Sequence, residues 1–211
     1  LSCPSCRTSK IFVSRGNVLA RKKKWVDKII NWIIKQEKHI RVTIGSDGDP
    51  FASLIYRYFM TRMQILKPYN VTFDLQTNGL LLSKMYHRHQ YIFDNLENLN
   101  VSVDGATRDT YETLRRGGSW TQIQHNLRFI STRTRRYDVA LTMVVQKYNW
   151  REMISMYKWV RHLGFNRIYF NMMQDWNTGA DLDSEFMKET EYKQAIEYLQ
   201  SQENVYFQGL S

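Results

Sequence analysis

Short runs of β-branched and aromatic residues alternate along this chain with longer segments in which apolar residues recur every three or four positions. The short runs are typical of strands, and the longer periodic segments are typical of amphipathic helices. Strands are predicted over residues 40–45, 71–76, 99–103, 139–145 and 167–172. Helices are predicted over residues 19–38, 53–66, 81–94, 107–115, 120–135, 150–163 and 187–201.

The spacing of the predicted strands indicates how they are connected. Successive strands begin roughly 30 to 40 residues apart, which is the length of a strand–helix–strand unit with parallel strands. The pattern therefore predicts an α/β fold with outer helices. It is either an open sheet or a partial (β/α)6-type TIM barrel whose N-terminal strand would lie upstream of Leu1. In such folds the functional residues collect at the carboxyl ends of the strands.

Composition narrows the class of protein. A chain of 211 residues with 43% hydrophobic and 24% charged residues is typical of one globular domain. No apolar run approaches the length of a membrane span. The net charge of +10 admits an acidic partner, but Arg21–Lys24 lead directly into a helical pattern containing Trp25 and Ile29. We therefore expect solvated helix faces, with neither nucleic acid nor a membrane as partner.

The two cysteines, Cys3 and Cys6, form a close pair at the start of the chain. A cytoplasmic location is expected, and in an intracellular protein such a pair favours metal or redox chemistry. Structural zinc needs four ligands, and the five histidines show no finger-like spacing. A thioredoxin-like redox pair would follow a strand. The cysteine pair alone does not distinguish a metal site from a redox pair.

Polar and turn-forming residues follow the predicted strands, as expected for a site at their carboxyl ends. After the five strands in turn come residues 46–50, Thr77–Gly79, Ser102–Gly105, Gln146 with Asn149, and residues 171–178.

Several of these segments together resemble the motifs of radical S-adenosylmethionine enzymes. Cys3-Pro4-Ser5-Cys6 is similar to the last two cysteines of the Cys-x-x-x-Cys-x-x-Cys loop, whose first cysteine would fall two positions before Leu1. Gly48-Asp49-Pro50 resembles the Gly-Gly-Glu-Pro segment, with Asp in place of Glu. Thr77-Asn78-Gly79 resembles the Thr-Asn-Gly turn. Residues 101–118, 144–149 and 175–179 are similar to the branch that has SPASM or twitch extensions.

The resemblance covers roughly residues 1–180 and implies two cofactors. Cys3, Cys6 and the upstream cysteine would ligate three irons of a [4Fe–4S] cluster. S-adenosylmethionine would chelate the fourth iron, and its reductive cleavage would give a 5′-deoxyadenosyl radical that removes hydrogen from a substrate. The resemblance further implies a peptide or small-molecule substrate and an electron donor such as flavodoxin or ferredoxin. Without the first cysteine, the chain as written is expected to be inactive.

The same resemblance assigns residues to the methionine part of the cofactor. Gly48, Asp49 and Pro50 would accept from its ammonium group, although they also suit an ordinary turn. Ser102 and Arg115 would hold its carboxylate, although Arg115 and Arg116 also suit a helix end. The complete set of expected cofactor-binding residues is Gly48, Asp49, Pro50, Thr77, Asn78, Ser102, Asp104, Arg115 and Met172.

The expected domain organisation is a truncated core domain over 1–180, followed by a helix over 181–211 that leads toward an extension. Residues 203–209 resemble a protease-cleavage tag with one change, and they are either a tag remnant or native. Two other hypotheses stay open. One is a cluster-free barrel or Rossmann-like enzyme that binds a phosphorylated ligand, although Asp49 makes a poor phosphate loop. The other is a basic nucleic-acid-binding module.

Overall fold

The computed structural model of this chain describes residues 16–45, 48–133, 138–174 and 183–209. These residues contain six strands and eight α-helices. The strands are β1 (Ile40–Ile44), β2 (Val71–Thr77), β3 (Leu96–Ser102), β4 (Asp138–Val145), β5 (Arg167–Met172) and β6 (Val205–Gln208). The helices are α1 (Gly16–Ile34), α2 (Leu54–Arg62), α3 (Leu82–Arg88), α4 (Gln90–Asp94), α5 (Arg108–Leu114), α6 (Trp120–Ser131), α7 (Met153–His162) and α8 (Thr190–Gln200).

All six strands lie in one parallel sheet in the order in which they occur along the chain. A crossover between parallel strands is right-handed in nearly all proteins. A sheet that always grows in the same direction therefore places its connecting helices on one face. The result is the partial TIM-barrel-like α/β fold that the strand spacing predicted.

The hydrophobic core lies between the sheet and the helices. In β2, for example, Val71, Phe73 and Leu75 are buried, whereas Thr72 and Gln76 on the opposite face are not. Successive side chains of a strand point to opposite faces, so this alternation gives the sheet one apolar and one polar face. The apolar face packs on amphipathic helices such as α6. In α6 the fully buried residues Ile123, Leu127 and Ile130 lie four and three positions apart and so share one side of the helix.

The five strands predicted from the sequence are all present, with ends that agree or differ by at most three residues. The predicted helix over 81–94 is two helices, because His89 has φ −123° and interrupts the helical backbone between α3 and α4. The sixth strand, β6, comes from the segment that resembles a cleavage tag, and it pairs in parallel with Ile168–Asn171 of β5. A strand upstream of Leu1 stays a prediction.

In the described ranges, every helix is too short or too polar to span a lipid bilayer.

Candidate active site at the carboxyl ends of the strands

The loops that follow the strands meet at one edge of the sheet because all six strands are parallel. The motif residues of the described part of the chain lie in or next to these loops, at residues 48–50, 77–79, 102–105 and 171–172. Cys3 and Cys6, the predicted cluster ligands, lie outside the described residues. Within the described ranges, no group of three or more histidine, cysteine, aspartate or glutamate side chains could hold a metal ion.

Asp49 connects the loop after β1 to the loop after β2. Its Oδ2 accepts hydrogen bonds from Thr77 Oγ1 at 2.6 Å and from the Asn78 backbone N–H at 2.7 Å. Its Oδ1 accepts from the Phe51 backbone N–H at 2.9 Å. A carboxylate has about four acceptor positions, and three of them are occupied here. Asp49 thus positions two neighbouring loops and has little further capacity for a ligand.

Thr77, Asn78 and Gly79 form a tight turn that is locked onto α6. Asn78 Oδ1 accepts from the Leu80 backbone N–H at 3.0 Å, which is the local bond that favours Asn in turns. Gly79 has φ +78°, and its carbonyl accepts from the buried amide of Asn126 at 2.7 Å. A Cβ on Gly79 would lie 2.5 Å from the Ile123 side chain, so glycine is required both by conformation and by packing.

The loop after β3 contains a buried ion pair between two of the predicted cofactor residues. Asp104 Oδ2 lies 2.7 Å from Arg115 Nε, and the two side chains are only 4% and 12% exposed. Asp104 Oδ1 also accepts from the Val144 backbone N–H of β4 at 3.0 Å. Asp104 therefore attaches both the end of α5 and the neighbouring strand to its own loop. Arg115 is held beside the strand ends, with part of its charge balanced by Asp104.

Asn149 completes the connection between the loops after β3 and β4. Its side-chain amide donates to the Asp104 carbonyl at 2.9 Å and to the Val144 carbonyl at 2.8 Å. Its Oδ1 accepts from the Gln146 backbone N–H at 2.8 Å. Asn149 is 1% exposed, so these bonds satisfy an amide that burial would otherwise make unfavourable.

Glu152 holds the N-terminal end of α5 from the following unit of the fold. Its carboxylate accepts from the backbone N–H groups of Ala106 at 2.5 Å and Thr107 at 3.1 Å. It also accepts from the hydroxyls of Thr107 at 2.8 Å and Thr110 at 2.5 Å. A carboxylate beside a helix N-terminus accepts hydrogen bonds from the free N–H groups, and its negative charge interacts favourably with the helix dipole. Glu152 is the residue directly before α7, but its carboxylate holds the start of α5.

The face of the sheet away from the helices, here called the inner face, is lined by polar side chains. The strand register and the alternation of side chains assign to it the polar residues Arg41, Thr43, Thr72, Asp74, Gln76, Asn98, Asn100, Ser102, Asp138, Thr142, Arg167, Tyr169, Asn171, Tyr206 and Gln208. A cleft of about 310 Å³ lies on this face, bordered among others by Arg41, Gln76, Asn100 and Tyr169. Such a surface suits a polar ligand that can form many hydrogen bonds.

At the end of the inner face farthest from the strand-end loops, a charged network joins the five strands β1 to β5. Arg41 donates to both carboxylate oxygens of Asp74, at 2.6 and 2.8 Å, and Asn98 donates to Asp74 at 2.7 Å. Arg167 donates to Asn98 and lies 2.9 Å from Asp138. Burial alone would raise the pKa of Asp74. The hydrogen bonds from Arg41 and Asn98 and the charges of the two arginines outweigh burial and hold that pKa below its ordinary value.

The charged network was not predicted, although a pattern in the sequence indicates it. In β1, β2 and β3 in turn, two polar residues are separated by one apolar residue: Arg41 and Thr43, Asp74 and Gln76, and Asn98 and Asn100. That alternation predicts a polar strand face.

The remaining predicted site residues divide between the two faces. Ser102 ends β3 on the inner face, opposite Thr142 of β4. Met172 pairs with Val145 on the helix-facing side, whereas its neighbour Asn171 is on the inner face. Gly48 has φ +94° and no atom within 4 Å of the position a Cβ would take, and Pro50 beside it is buried.

No family model and no curated protein matches the sequence, but solved structures share its fold. Streptococcus suis SuiB bound to the precursor peptide SuiA matches with a TM-score of 0.69 at 11% identity, over 99% of this chain and 46% of SuiB. SuiB bound to S-adenosylmethionine gives 0.63 at 12% identity, over 99% and 44%. Native anSMEcpe with bound AdoMet and Kp18Cys peptide gives 0.58 at 16% identity, over 83% and 48%.

This chain therefore spans less than half the length of each of these solved chains. At such low identity the matches establish the architecture alone. The described part of this chain has the same partial-barrel α/β fold as part of SuiB and of anSMEcpe.

Proposed function

We propose that this chain is the core of a radical S-adenosylmethionine enzyme of the SPASM/twitch branch. Two independent lines support the proposal. The motifs occur in the order of that superfamily, and the fold is shared with proteins that have been solved with S-adenosylmethionine bound. The single observation of most weight is that the described motif residues gather at one edge of a sequentially ordered parallel sheet, next to a polar inner face.

The residues at this edge fit a zwitterionic ligand. Gly48 leaves open space in a loop whose backbone groups can accept from an ammonium group, while Asp49 fixes that loop through Thr77 and Asn78. Ser102 offers a hydroxyl at the end of β3, and Arg115 offers a guanidinium for a carboxylate. In this proposal Asp104 orients Arg115, and Asn171 is better placed than Met172 to contact the cofactor from β5.

The proposed cluster would be ligated by Cys3, Cys6 and an upstream cysteine, as the resemblance implies. When bound, the cluster and S-adenosylmethionine together would supply one-electron cleavage of the sulfonium and a hydrogen-abstracting radical. The protein residues would orient the sulfonium and keep water away from the strand-end loops. Their mutual attachment through Asp49, Asp104 and Asn149 provides a rigid frame for that task.

A peptide is the substrate class that the inner face favours. Gln76, Asn100 and Tyr169 present amide and hydroxyl groups that can pair with peptide N–H and C=O groups. SuiB and anSMEcpe have both been solved with peptides bound, which supports the same choice. An electron donor such as flavodoxin or ferredoxin belongs to the proposal because the cleavage consumes an electron.

The test uses the protein encoded by the full gene, reconstituted with iron and sulfide without oxygen. The expected results are a brown protein with the electron paramagnetic resonance signal of a reduced [4Fe–4S] cluster, and release of 5′-deoxyadenosine from S-adenosylmethionine. Cys3→Ala and Cys6→Ala should abolish both. Reduction by dithionite and by flavodoxin should each support the cleavage. A colourless protein, or a gene without a cysteine two positions before Leu1, would refute the proposal.

A second measurement addresses the cofactor residues separately. Ser102→Ala should weaken binding of S-adenosylmethionine, measured by equilibrium dialysis, by about tenfold or more, since one hydrogen bond to a charged group is lost. Ser155→Ala is the matched control, because Ser155 is exposed on α7 and should leave the affinity unchanged. Equal affinities for the two variants would remove Ser102 from the site without affecting the assignment of the cluster.

A further inference from the structure

Helix α1 has two apolar faces, and only one of them is buried. Val26, Ile30 and Ile33 pack into the core. The other face, here called the Trp25 stripe, consists of Val18, Trp25, Ile29 and Trp32, whose exposed fractions are 45, 59, 46 and 56%. Two tryptophans that are both more than half exposed on one helix differ from the scattered exposed apolar residues of an ordinary surface.

The members of the Trp25 stripe lie on one line along the helix. Their spacings of seven, four and three residues place all four side chains within an arc of about 60° around the axis. The side of α1 that faces the fold is occupied by other residues. Lys23 Nζ lies 5.0 Å from the ring centre of Tyr58 on α2, and Asp27 accepts from the Tyr58 hydroxyl at 3.0 Å. The stripe therefore faces away from α2.

The residues that flank the stripe carry charge of one sign. Arg21, Lys22, Lys24 and Lys28 are all exposed, and Lys28 Nζ lies 5.0 Å from the ring centre of Trp25. Asp27 is the one acidic residue between Gly16 and Ile34. Its carboxylate is held by Tyr58 and by Arg62, so it does not neutralise the outward side.

We propose that α1 binds the surface of a bilayer that contains anionic phospholipids. The Trp25 stripe would enter the boundary between head groups and acyl chains, and the flanking basic side chains would contact lipid phosphates. Tryptophan favours this boundary because its ring is apolar and its N–H is polar. The uninterrupted positive charge favours a lipid surface over a second copy of this chain, since two copies would bring like charges together.

This interaction differs from what the sequence pattern predicts for the basic segment. There the lysines and arginines were expected to form a solvated face, and no membrane partner was expected. The structure shows that the same outward side presents two tryptophans and an isoleucine. Because α1 lies along the surface and not across the bilayer, the proposed binding is peripheral, and it should be reversed by salt as charge attraction is screened.

The test measures cosedimentation of the protein with phosphatidylglycerol–phosphatidylcholine vesicles and with pure phosphatidylcholine vesicles. The expected result is binding to the anionic vesicles, a blue shift of tryptophan fluorescence, and quenching by brominated lipid. Trp25→Ala combined with Trp32→Ala should reduce the partition coefficient about tenfold or more, and Lys24→Glu combined with Lys28→Glu should do the same. All four residues are exposed, so circular dichroism should show unchanged folding.

Matched controls distinguish binding through this surface from nonspecific binding to vesicles. Tyr148→Ala removes an aromatic ring that is 65% exposed, and Lys158→Glu reverses an exposed charge on α7. Both variants should bind anionic vesicles like the wild type. Absence of binding to anionic vesicles, or equal losses in controls and stripe variants, would overturn the proposal. A dimer in sedimentation velocity that Trp25→Ala dissociates, with no vesicle binding, would assign the stripe to a second copy instead.

Discussion

The buried pair of Asp104 and Arg115 gives the sharpest test of how the strand-end loops are held. Asp104→Asn keeps the side-chain shape and leaves an oxygen that can still accept from the Val144 backbone N–H. What it removes is the negative charge 2.7 Å from Arg115 Nε, where the two side chains are 4% and 12% exposed. Removing one partner of a buried pair costs about 3–5 kcal/mol, because the other charge keeps its desolvation penalty. We expect a loss of about 3 kcal/mol.

The assay is urea unfolding followed by far-UV circular dichroism, with the free energy of unfolding extrapolated to water. A domain of this size is stable by about 5–15 kcal/mol, so the variant should still fold while its transition moves to clearly lower urea. Asp104→Ala also removes the acceptor for Val144 and should cost more. The exposed pair Glu185 and Lys188 is the control, since its side chains are 74% and 76% exposed. Glu185→Gln should cost less than about 1 kcal/mol.

The double variant Asp104→Asn with Arg115→Met distinguishes charge pairing from simple packing. If the cost comes from the charge of Arg115 losing its partner, removing both charges should recover about 2 kcal/mol relative to Asp104→Asn. Strictly additive losses, or a cost of Asp104→Asn no larger than that of Glu185→Gln, would refute the reasoning.

Three further predictions concern stability. Glu152→Ala should cost about 2–3 kcal/mol and speed amide exchange at the start of α5, whereas Glu191→Ala, which is exposed, should change neither; equal exchange rates would contradict the assigned role. Gly79→Ala should cost at least about 3 kcal/mol in urea unfolding, against about 1 kcal/mol for Gly117→Ala, where φ is +82° but no atom lies within 4 Å of a Cβ. Burial, followed by the charges of two nearby arginines, lowers the pKa of His89. The free energy of unfolding should therefore fall as the pH drops below about 6.5, because the unfolded chain then binds a proton that the folded chain does not. His89→Phe should remove this dependence between about pH 7.5 and 5.5, roughly the range in which an unperturbed histidine titrates.

The strands and helices could be predicted because their patterns are local. The apolar side of β2 shows in Val71, Phe73 and Leu75, and the core side of α6 shows in Ile123 and Leu127. The order of the motifs likewise predicted which loops would meet, since parallel strands end at one edge. Strand β6 was harder to predict, because four residues with two aromatics provide too short a pattern.

The contacts within the candidate site could not be predicted from local pattern. Asp49 accepts from Thr77 across 28 residues, and Asp104 accepts from Val144 across 40. The residues around Asp49 and Asp104 do not indicate which distant group each carboxylate will bind, because the pairing follows from strand register and loop shape. The resemblance assigned Asp49 and Arg115 to a cofactor, whereas the structure shows that both side chains also hold protein groups in place.

The two faces of the sheet differ in what they contribute to the protein, and this difference has an evolutionary consequence. Folding depends on the apolar residues that face the helices, while the surface offered to a guest molecule is made by the alternate positions of the same strands. Substitutions at exposed positions such as Thr43 and Gln76 can therefore change the surface of the cleft with little thermodynamic penalty. The same fold can therefore be adapted to different ligands by substitutions at alternate positions of its strands.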